Sequence, residues 1–236
     1  MIGYLHSFQS MGAADGPGVR CVVFLQGCPL RCAYCHNPDT WDTNQGTPVT
    51  AEELVSKILR FRPYFGENGG VTVSGGEPLM QADFVAELFT LLKEQGIHTA
   101  LDTSGHGSRE AIEKVLKVTD LAMCDVKFAT EELYQTHCGG SLKQVQSFLE
   151  QAEQMKVPVW VRHVVVPLLT DGEDHLKQVV TIAKECKTLE HIELLPFKNL
   201  CVEKYKELGM FFPLENTPNC SAQTIESLYQ KIKEWE

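Results

Sequence analysis

The sequence predicts an α/β protein built as a partial (β/α)6 TIM-like barrel of parallel strands, open on one side. Short apolar, β-rich runs alternate with amphipathic helical runs from residue 20 to residue 235. The connections between successive runs are too long for hairpins, so the strands run parallel and are joined by right-handed crossovers. Glycines and polar residues collect just after the strands, where parallel α/β folds hold their ligands. Six such units make most of a barrel, short of the eight that close one.

The first strand is RCVVFLQ, residues 20–26, closed by Gly27. Thr50 then precedes AEELVSKILRF, where Glu53 completes a capping-box pattern and Leu54, Ile58 and Leu59 recur at helical spacing. Further strands are expected at 71–74, 97–102, 121–126, 157–166 and 191–195. Helices are expected at 82–95, 109–117, 142–155, 174–186 and 222–235. Residues 208–220 read as a surface loop before the last helix, and no repeat, low-complexity tract or linker interrupts the pattern.

A chain of 236 residues fits one domain, 1–236, with a cysteine loop at 27–41. Its 43% hydrophobic and 22% charged residues are those of an ordinary globular protein. A net charge of -10 without a Lys/Arg cluster argues against nucleic acid as a partner. The start shows no basic segment followed by an apolar run, and nothing approaches the ~18 apolar residues of a membrane span, so a cytoplasmic protein with no membrane partner is expected. The expected state is a monomer.

Nine cysteines without an export signal do not suggest a disulfide scaffold. Six of them are scattered and fit buried packing. The other three, Cys28, Cys32 and Cys35, lie within GCPLRCAYCHNPDTW. Three thiols this close favour a metal centre. Zinc completed by His36 is one reading, belonging to a metal-binding interaction module, although adjacency to Cys35 makes tetrahedral binding by both awkward. An iron-sulfur cubane is the other, and three thiolates would leave one iron open to another ligand.

Later strand ends add SGGEP (74–78), DTSG (102–105), MCDVK (123–127) and LLPFKN (194–199). Two glycines after a strand serve a tight turn, and an isolated Asp at a strand end caps or solvates one. Asp102, Asp125 and Lys127 on one barrel mouth could together bind a ligand or a small cation. Arg162, inside the apolar run VPVWVRHVVVP, needs an anionic partner.

The CxxxCxxC spacing with Tyr34 before its last cysteine resembles the signature of the radical S-adenosylmethionine enzymes. That resemblance implies a 4Fe-4S cluster on Cys28, Cys32 and Cys35, with S-adenosylmethionine taking the place of a fourth thiolate. Reduction of the cluster then cleaves the sulfonium to methionine and a 5'-deoxyadenosyl radical. SGGEP resembles the family's GGE motif, so Gly75, Gly76 and Glu77 are expected around the methionine amino group. Tyr34, Cys35 and His36 are expected near the adenine, and Asp102, Asp125, Val126, Lys127 and Arg162 along the ligand. Asp102, Thr103, Met123 and Asp125 match positions that hold a monovalent cation. Where the family often has Pro-Tyr-His after the sixth strand, this chain has Pro196, Phe197 and Lys198, which puts Lys198 in the place of an adenosine contact.

DGPGVR (15–20) together with these motifs narrows the resemblance to the glycyl-radical-enzyme activases. Residues 36–74 hold no cysteine, so the chain lacks the ferredoxin-like insert of many relatives. This layout is similar to activases whose partner is pyruvate formate-lyase, which cleaves pyruvate with coenzyme A. The resemblance implies an anaerobic activase that takes a hydrogen from a partner glycine, with flavodoxin or ferredoxin as electron donor. It calls for no catalytic side chain acting as general acid or base. The rival activities are radical chemistry on another glycyl-radical enzyme or on a small molecule.

Overall fold

The computed structural model of the chain describes residues 1–235. Its strands are β1 (Ile2–Gly12), β2 (Arg20–Leu25), β3 (Thr47–Thr50), β4 (Gly70–Gly75), β5 (His98–Thr103), β6 (Leu121–Asp125), β7 (Val159–Val165) and β8 (Leu189–Pro196). Its helices are α1 (Ala51–Leu59), α2 (Ala82–Glu94), α3 (Arg109–Leu116), α4 (Glu131–Cys138), α5 (Leu142–Gln154), α6 (Glu173–Lys184), α7 (Val202–Glu207) and α8 (Ala222–Glu234).

One sheet runs in the order β3-β1-β2-β4-β5-β6-β7-β8, and β3 and β8 remain its two edges, so the barrel is not closed. The six expected strands are β2 and β4 to β8, and every pairing among them is parallel. The sequence reading missed β1 and β3, which pair antiparallel and extend the sheet beyond β2. It also missed α4 and α7. Of the six residues of α7 only Tyr205 is buried, and α4 buries only Tyr134 and Cys138, too few to establish a helical period.

Capping chemistry sets the helix starts. At α1 the Thr50 hydroxyl accepts from the Glu53 N–H while the Glu53 carboxylate accepts from the Thr50 N–H, the expected capping box. The Thr130 hydroxyl caps α4 by accepting from the Leu133 N–H, and Gly139 ends that helix at φ 64°. The main core lies between the sheet and the helices, where Cys21, Val23, Val71, Val73, Leu101, Ala122, Cys124 and Val161 meet residues such as Leu88, Phe89, Val115 and Phe148. These strand residues alternate with an inward set, because side chains along a strand point to opposite faces.

The inward set is apolar low in the barrel and polar at its mouth. Ala100, Leu121 and Met123 form a small cluster with Trp160. Above them in the strand register, Asp125 lies beside Arg162 and Arg162 beside Glu193. Below them a fully buried Arg20 fills the amino end. Its Nε donates to Thr72 Oγ1 at 2.7 Å, Nη1 to the Pro17 carbonyl at 3.0 Å and Nη2 to the Val71 carbonyl at 2.8 Å. Thr72 Oγ1 in turn donates to the Asp15 carbonyl at 2.6 Å, so DGPGVR closes the floor beneath the mouth.

Candidate functional site

A cavity of about 370 Å³ opens at the carboxyl ends of the strands, within the range typical of small-molecule sites. Cys28, Cys32, Cys35, Tyr34 and His36 line one side. Ser74, Gly75, Gly76, Asp102, Thr103, Asp125, Lys127 and Arg162 line the others. Five strand ends, the last through Leu195 and Pro196 of β8, and the cysteine loop, separated by more than a hundred residues of chain, thus meet at one place.

The cysteine loop is held from both sides. Gly27 turns the chain out of β2 at φ 94°, and its N–H donates to the Thr40 carbonyl at 2.8 Å. Gln26 Nε2 spans the loop base by donating to the Asp39 and Asp42 carbonyls at 2.8 and 2.9 Å. Arg31 donates through Nη1 to the Cys28 and Leu30 carbonyls at 2.8 and 2.7 Å, with its guanidinium 4.9 Å from the Trp41 ring. The Arg31 N–H reaches the Cys138 carbonyl at 2.8 Å and the Ala33 N–H reaches the His137 carbonyl at 2.7 Å, which docks the loop on the end of α4. From α7, Tyr205 donates its hydroxyl to the Cys35 carbonyl at 3.2 Å.

The three thiols have unlike environments. Burial pushes Cys28 up to about 12, and burial with the neighbouring Cys32 raises Cys35 to about 11. The neighbouring Cys138 thiol draws Cys32 down to about 7. Among the described residues no three His, Cys, Asp or Glu side chains already converge on one ion. A cubane does not require them to. Each thiolate binds a different iron, so three separated thiols around a roomy cavity fit a cluster better than a single zinc. His36 lines the same cavity, its pKa lowered by burial, and its ring packs 6.2 Å from Phe197.

SGGEP packs its turn directly against this loop. Gly75 sits at φ 109°, and a side chain there would place Cβ 2.4 Å from the Leu25 nitrogen. At Gly76 a Cβ would lie 2.1 Å from the Gly27 carbonyl oxygen, so both positions require glycine. The N–H groups of Gly76 and Glu77 donate to the Leu25 and Gly27 carbonyls at 2.8 Å each.

Glu77 departs from the expectation of direct ligand contact. Its carboxylate is fully buried and does not line the cavity. It accepts from Thr103 Oγ1 at 2.6 Å, Ser104 N–H at 2.8 Å, Ser104 Oγ at 2.5 Å and Leu79 N–H at 3.1 Å. Burial raises its pKa and these donors oppose the rise. Glu77 therefore ties SGGEP to DTSG from behind. Strand alternation explains it: the Asp102 side chain points inward, so the Thr103 hydroxyl turns to the side where Glu77 lies, while Thr103 still borders the cavity.

The charged residues at the mouth already form pairs. Arg162 Nη1 meets Asp102 Oδ1 at 3.0 Å and its Nε meets Glu193 at 3.0 Å, which supplies the partners its sequence setting demanded. Ser74 Oγ donates to Asp102 Oδ2 at 2.6 Å, and Lys127 Nζ meets Asp125 at 2.7 Å. Burial alone lowers the pKa of Lys127, but Asp125, Cys32 and Tyr34 outweigh it and hold the ammonium well above its ordinary value. Arg162 likewise loses to burial and gains more from Asp102, Asp125 and Glu193. Lys127 is further fixed through its own backbone, its N–H donating to Tyr134 Oη at 3.2 Å and its carbonyl accepting from Tyr34 Oη at 3.4 Å.

Three other expected residues also fall outside the cavity lining. Val126 is fully buried on the helix side, and its carbonyl accepts from His163 Nδ1 at 2.7 Å. Met123 lies lower in the barrel with Ala100 and Leu121. Lys198 is exposed, because Phe197 takes the inward position after β8. Asn37, Thr40, Trp41 and Ser104 line the cavity without having been anticipated, and no sequence signal marked them beyond their place in the loops.

Residues 14–147, more than half of the chain, match the family model described as a 4Fe-4S single cluster domain. The fold resembles the crystal structure of a radical SAM methyltransferase from Sphaerobacter thermophilus, with TM-score 0.67 and 14% identity over 91% of this chain and 64% of that one. Three-thiol loop and family model together define a protein with a 4Fe-4S single cluster domain, on a fold shared with that methyltransferase.

Relatives agree with the chain along almost their entire length. The chain is 44% identical over 235 residues to the pyruvate formate-lyase-activating enzyme of Clostridium pasteurianum, covering 99% of this chain and 98% of that enzyme. A domain of pyruvate-formate lyase-activating enzyme from Bacteroides vulgatus shares the fold, with TM-score 0.58 and 21% identity over 71% of this chain and 94% of that domain. The chain belongs to the pyruvate formate-lyase-activating enzyme family.

Proposed function

We propose that this chain activates pyruvate formate-lyase under anaerobic conditions by forming a glycyl radical on it. The single observation that carries the reading is the meeting of three loop thiols, with no fourth cysteine, and a cradle of paired charges in one cavity. Cys28, Cys32 and Cys35 would hold the 4Fe-4S cluster, which fits a soft donor set in a loop fixed by its own backbone bonds. With cluster and S-adenosylmethionine bound, the pair supplies reductive cleavage of the sulfonium to methionine and a 5'-deoxyadenosyl radical that takes a glycine hydrogen.

The chain's own residues position and enclose. Backbone at Gly75 and Gly76 would hold the methionine amino group, at two positions where a Cβ would clash with the Leu25 and Gly27 backbone. Arg162 and Lys127 provide positive charge for the carboxylate, and Asp102 and Asp125 keep both cations fixed before the ligand arrives. Tyr34, Cys35 and His36 face the adenine side. A monovalent cation at Asp102, Thr103, Met123 and Asp125 would have to open pairs these carboxylates already make. The partner's glycine loop enters through the side of the sheet left open between β8 and β3. No side chain acts as general acid or base, because hydrogen moves as an atom.

The same reading takes the chain as one radical S-adenosylmethionine core domain, a cytoplasmic monomer receiving its electron from flavodoxin or ferredoxin. Among the described residues no helix is long and apolar enough to cross a membrane. The test is direct. Anaerobically reconstituted protein, a reductant and S-adenosylmethionine are mixed with pyruvate formate-lyase and examined by electron paramagnetic resonance. A glycyl radical doublet is expected. A doublet on a different glycyl-radical enzyme, and none on pyruvate formate-lyase, overturns the substrate.

A further inference from the structure

The three most exposed large apolar side chains among the described residues are Leu168 at 91%, Phe211 at 81% and Leu200 at 80%, and none of the others exceeds 60%. All three stand on loops beside the mouth of the barrel. Leu168 follows β7, and Leu200 comes four residues after Pro196, which lines the cavity at the end of β8. Phe211 precedes Phe212, whose ring packs 4.8 Å from Tyr205, the residue that donates to the Cys35 carbonyl. Each has an inward neighbour that fixes its loop: Leu169 packs against the core, and Cys201 and Phe212 are both 3% exposed. Single exposed apolar residues are ordinary on any surface, but here the extreme ones gather at one mouth.

Leu168 is also strained. Its φ of 66° lies in the left-handed region, which glycine, asparagine or aspartate ordinarily occupies. The turn around it is fully determined. Buried Thr170 accepts through Oγ1 from the Val166 N–H at 2.8 Å and donates to the Val164 carbonyl at 2.7 Å. The Leu169 and Thr170 N–H groups donate to the Val166 carbonyl at 3.1 and 2.9 Å, and the Leu168 N–H reaches Asp171 Oδ1 at 2.9 Å. Leucine at this position destabilises the free chain twice, by strain and by apolar surface left in water. Strain held in place by its surroundings in this way clusters at functional contacts.

We propose that Leu168, Leu200 and Phe211 form the rim on which pyruvate formate-lyase docks while its glycine segment reaches the cavity. The proposal rests on pyruvate formate-lyase being the partner. The reaction and the place together name the occupant. The hydrogen comes from a backbone carbon of another protein, that carbon must reach a cavity inside the barrel, and the surface around it then meets the loops at the mouth. Because the turn already fixes Leu168 in one orientation, docking loses little of its conformational freedom.

The test is anaerobic binding of full-length, cluster-reconstituted protein to immobilised pyruvate formate-lyase, together with radical formation against pyruvate formate-lyase concentration. Leu168→Gly removes the strain and the contact at once. It should unfold in urea at no lower a midpoint than wild type and bind S-adenosylmethionine within twofold, while its affinity for pyruvate formate-lyase falls about tenfold, the scale of burying one leucine side chain. The pyruvate formate-lyase concentration for half-maximal radical formation should rise by the same factor with the maximal rate unchanged. Leu200→Ser and Phe211→Ser should each weaken the same binding and leave S-adenosylmethionine affinity alone. Wild-type affinity in Leu168→Gly, or an affinity lost only in step with a lowered urea midpoint, overturns the rim and leaves the partner standing. A wild-type chain that sediments as a dimer and becomes a monomer on Leu168→Gly overturns it too, because the rim then joins two copies. Wild-type protein that neither binds nor activates pyruvate formate-lyase refutes the partner, and the rim with it.

Discussion

Replacing Glu77 by alanine should destabilise the protein and weaken its hold on S-adenosylmethionine together. The carboxylate accepts four hydrogen bonds, two from hydroxyls of Thr103 and Ser104 and two from the N–H groups of Leu79 and Ser104. Hydroxyls can rotate to other acceptors. The two backbone donors are fixed, and each buried donor left unpaired costs about 1–3 kcal/mol. The expected loss is therefore about 2–6 kcal/mol before the cavity left by the side chain is added. Equilibrium urea unfolding under anaerobic conditions measures the first effect. Titration of reconstituted protein with S-adenosylmethionine measures the second, because SGGEP and DTSG lose the tie that sets their spacing. Glu77→Gln should weaken both by less, since its amide oxygen can keep some of the donors. A Glu77→Ala protein within about 1 kcal/mol of wild type would refute the reasoning, because so small a change is below one unpaired buried donor.

Arg162→Met leaves Asp102 and Glu193 without their cation, and breaking a buried pair from one side typically costs about 3–5 kcal/mol; a loss below 1 kcal/mol in urea unfolding would contradict the pairing. His175 has its pKa lowered from 6.5 to about 4, first by burial and then by His163, so the folded state favours the neutral ring. Its contribution to stability is complete above pH 6.5 and is lost as the pH falls through about 4. Solvent reaching the ring reduces the full linkage value, leaving about 1–2 kcal/mol. His175→Phe should flatten stability against pH across that window, and an unchanged acid slope would count against it. Lys198→Ala should bind S-adenosylmethionine within twofold of wild type in the same titration, because the residue is exposed and absent from the cavity lining. A loss of tenfold or more would restore it as an adenosine contact.

The six parallel strands and their order of use were legible because each is a buried run bounded by turn chemistry. β1 was not, since its exposure alternates irregularly through IGYLHSFQSMG and a bulge interrupts its pairing with β2. The three thiols and the strand-end motifs were legible as a group because parallel sheets deliver every strand end to one face. The direction of individual side chains was harder to read. Glu77, Val126 and Lys198 each stand beside a cavity residue in sequence, but strand alternation or an inward neighbour turns them away from the cavity. The contact between Cys138 and the cysteine loop depends on how α4 docks, which no local pattern encodes.

The most direct measurement of the central claim is the electron paramagnetic resonance spectrum of reduced, reconstituted protein before and after adding S-adenosylmethionine. Three protein thiolates with one iron left for the cofactor predict a reduced-cluster signal that changes shape and g values on addition. Cys28→Ser, Cys32→Ser and Cys35→Ser proteins should each lose it. A cluster signal untouched by S-adenosylmethionine, or a protein that takes up zinc in place of iron and sulfide, would contradict the account.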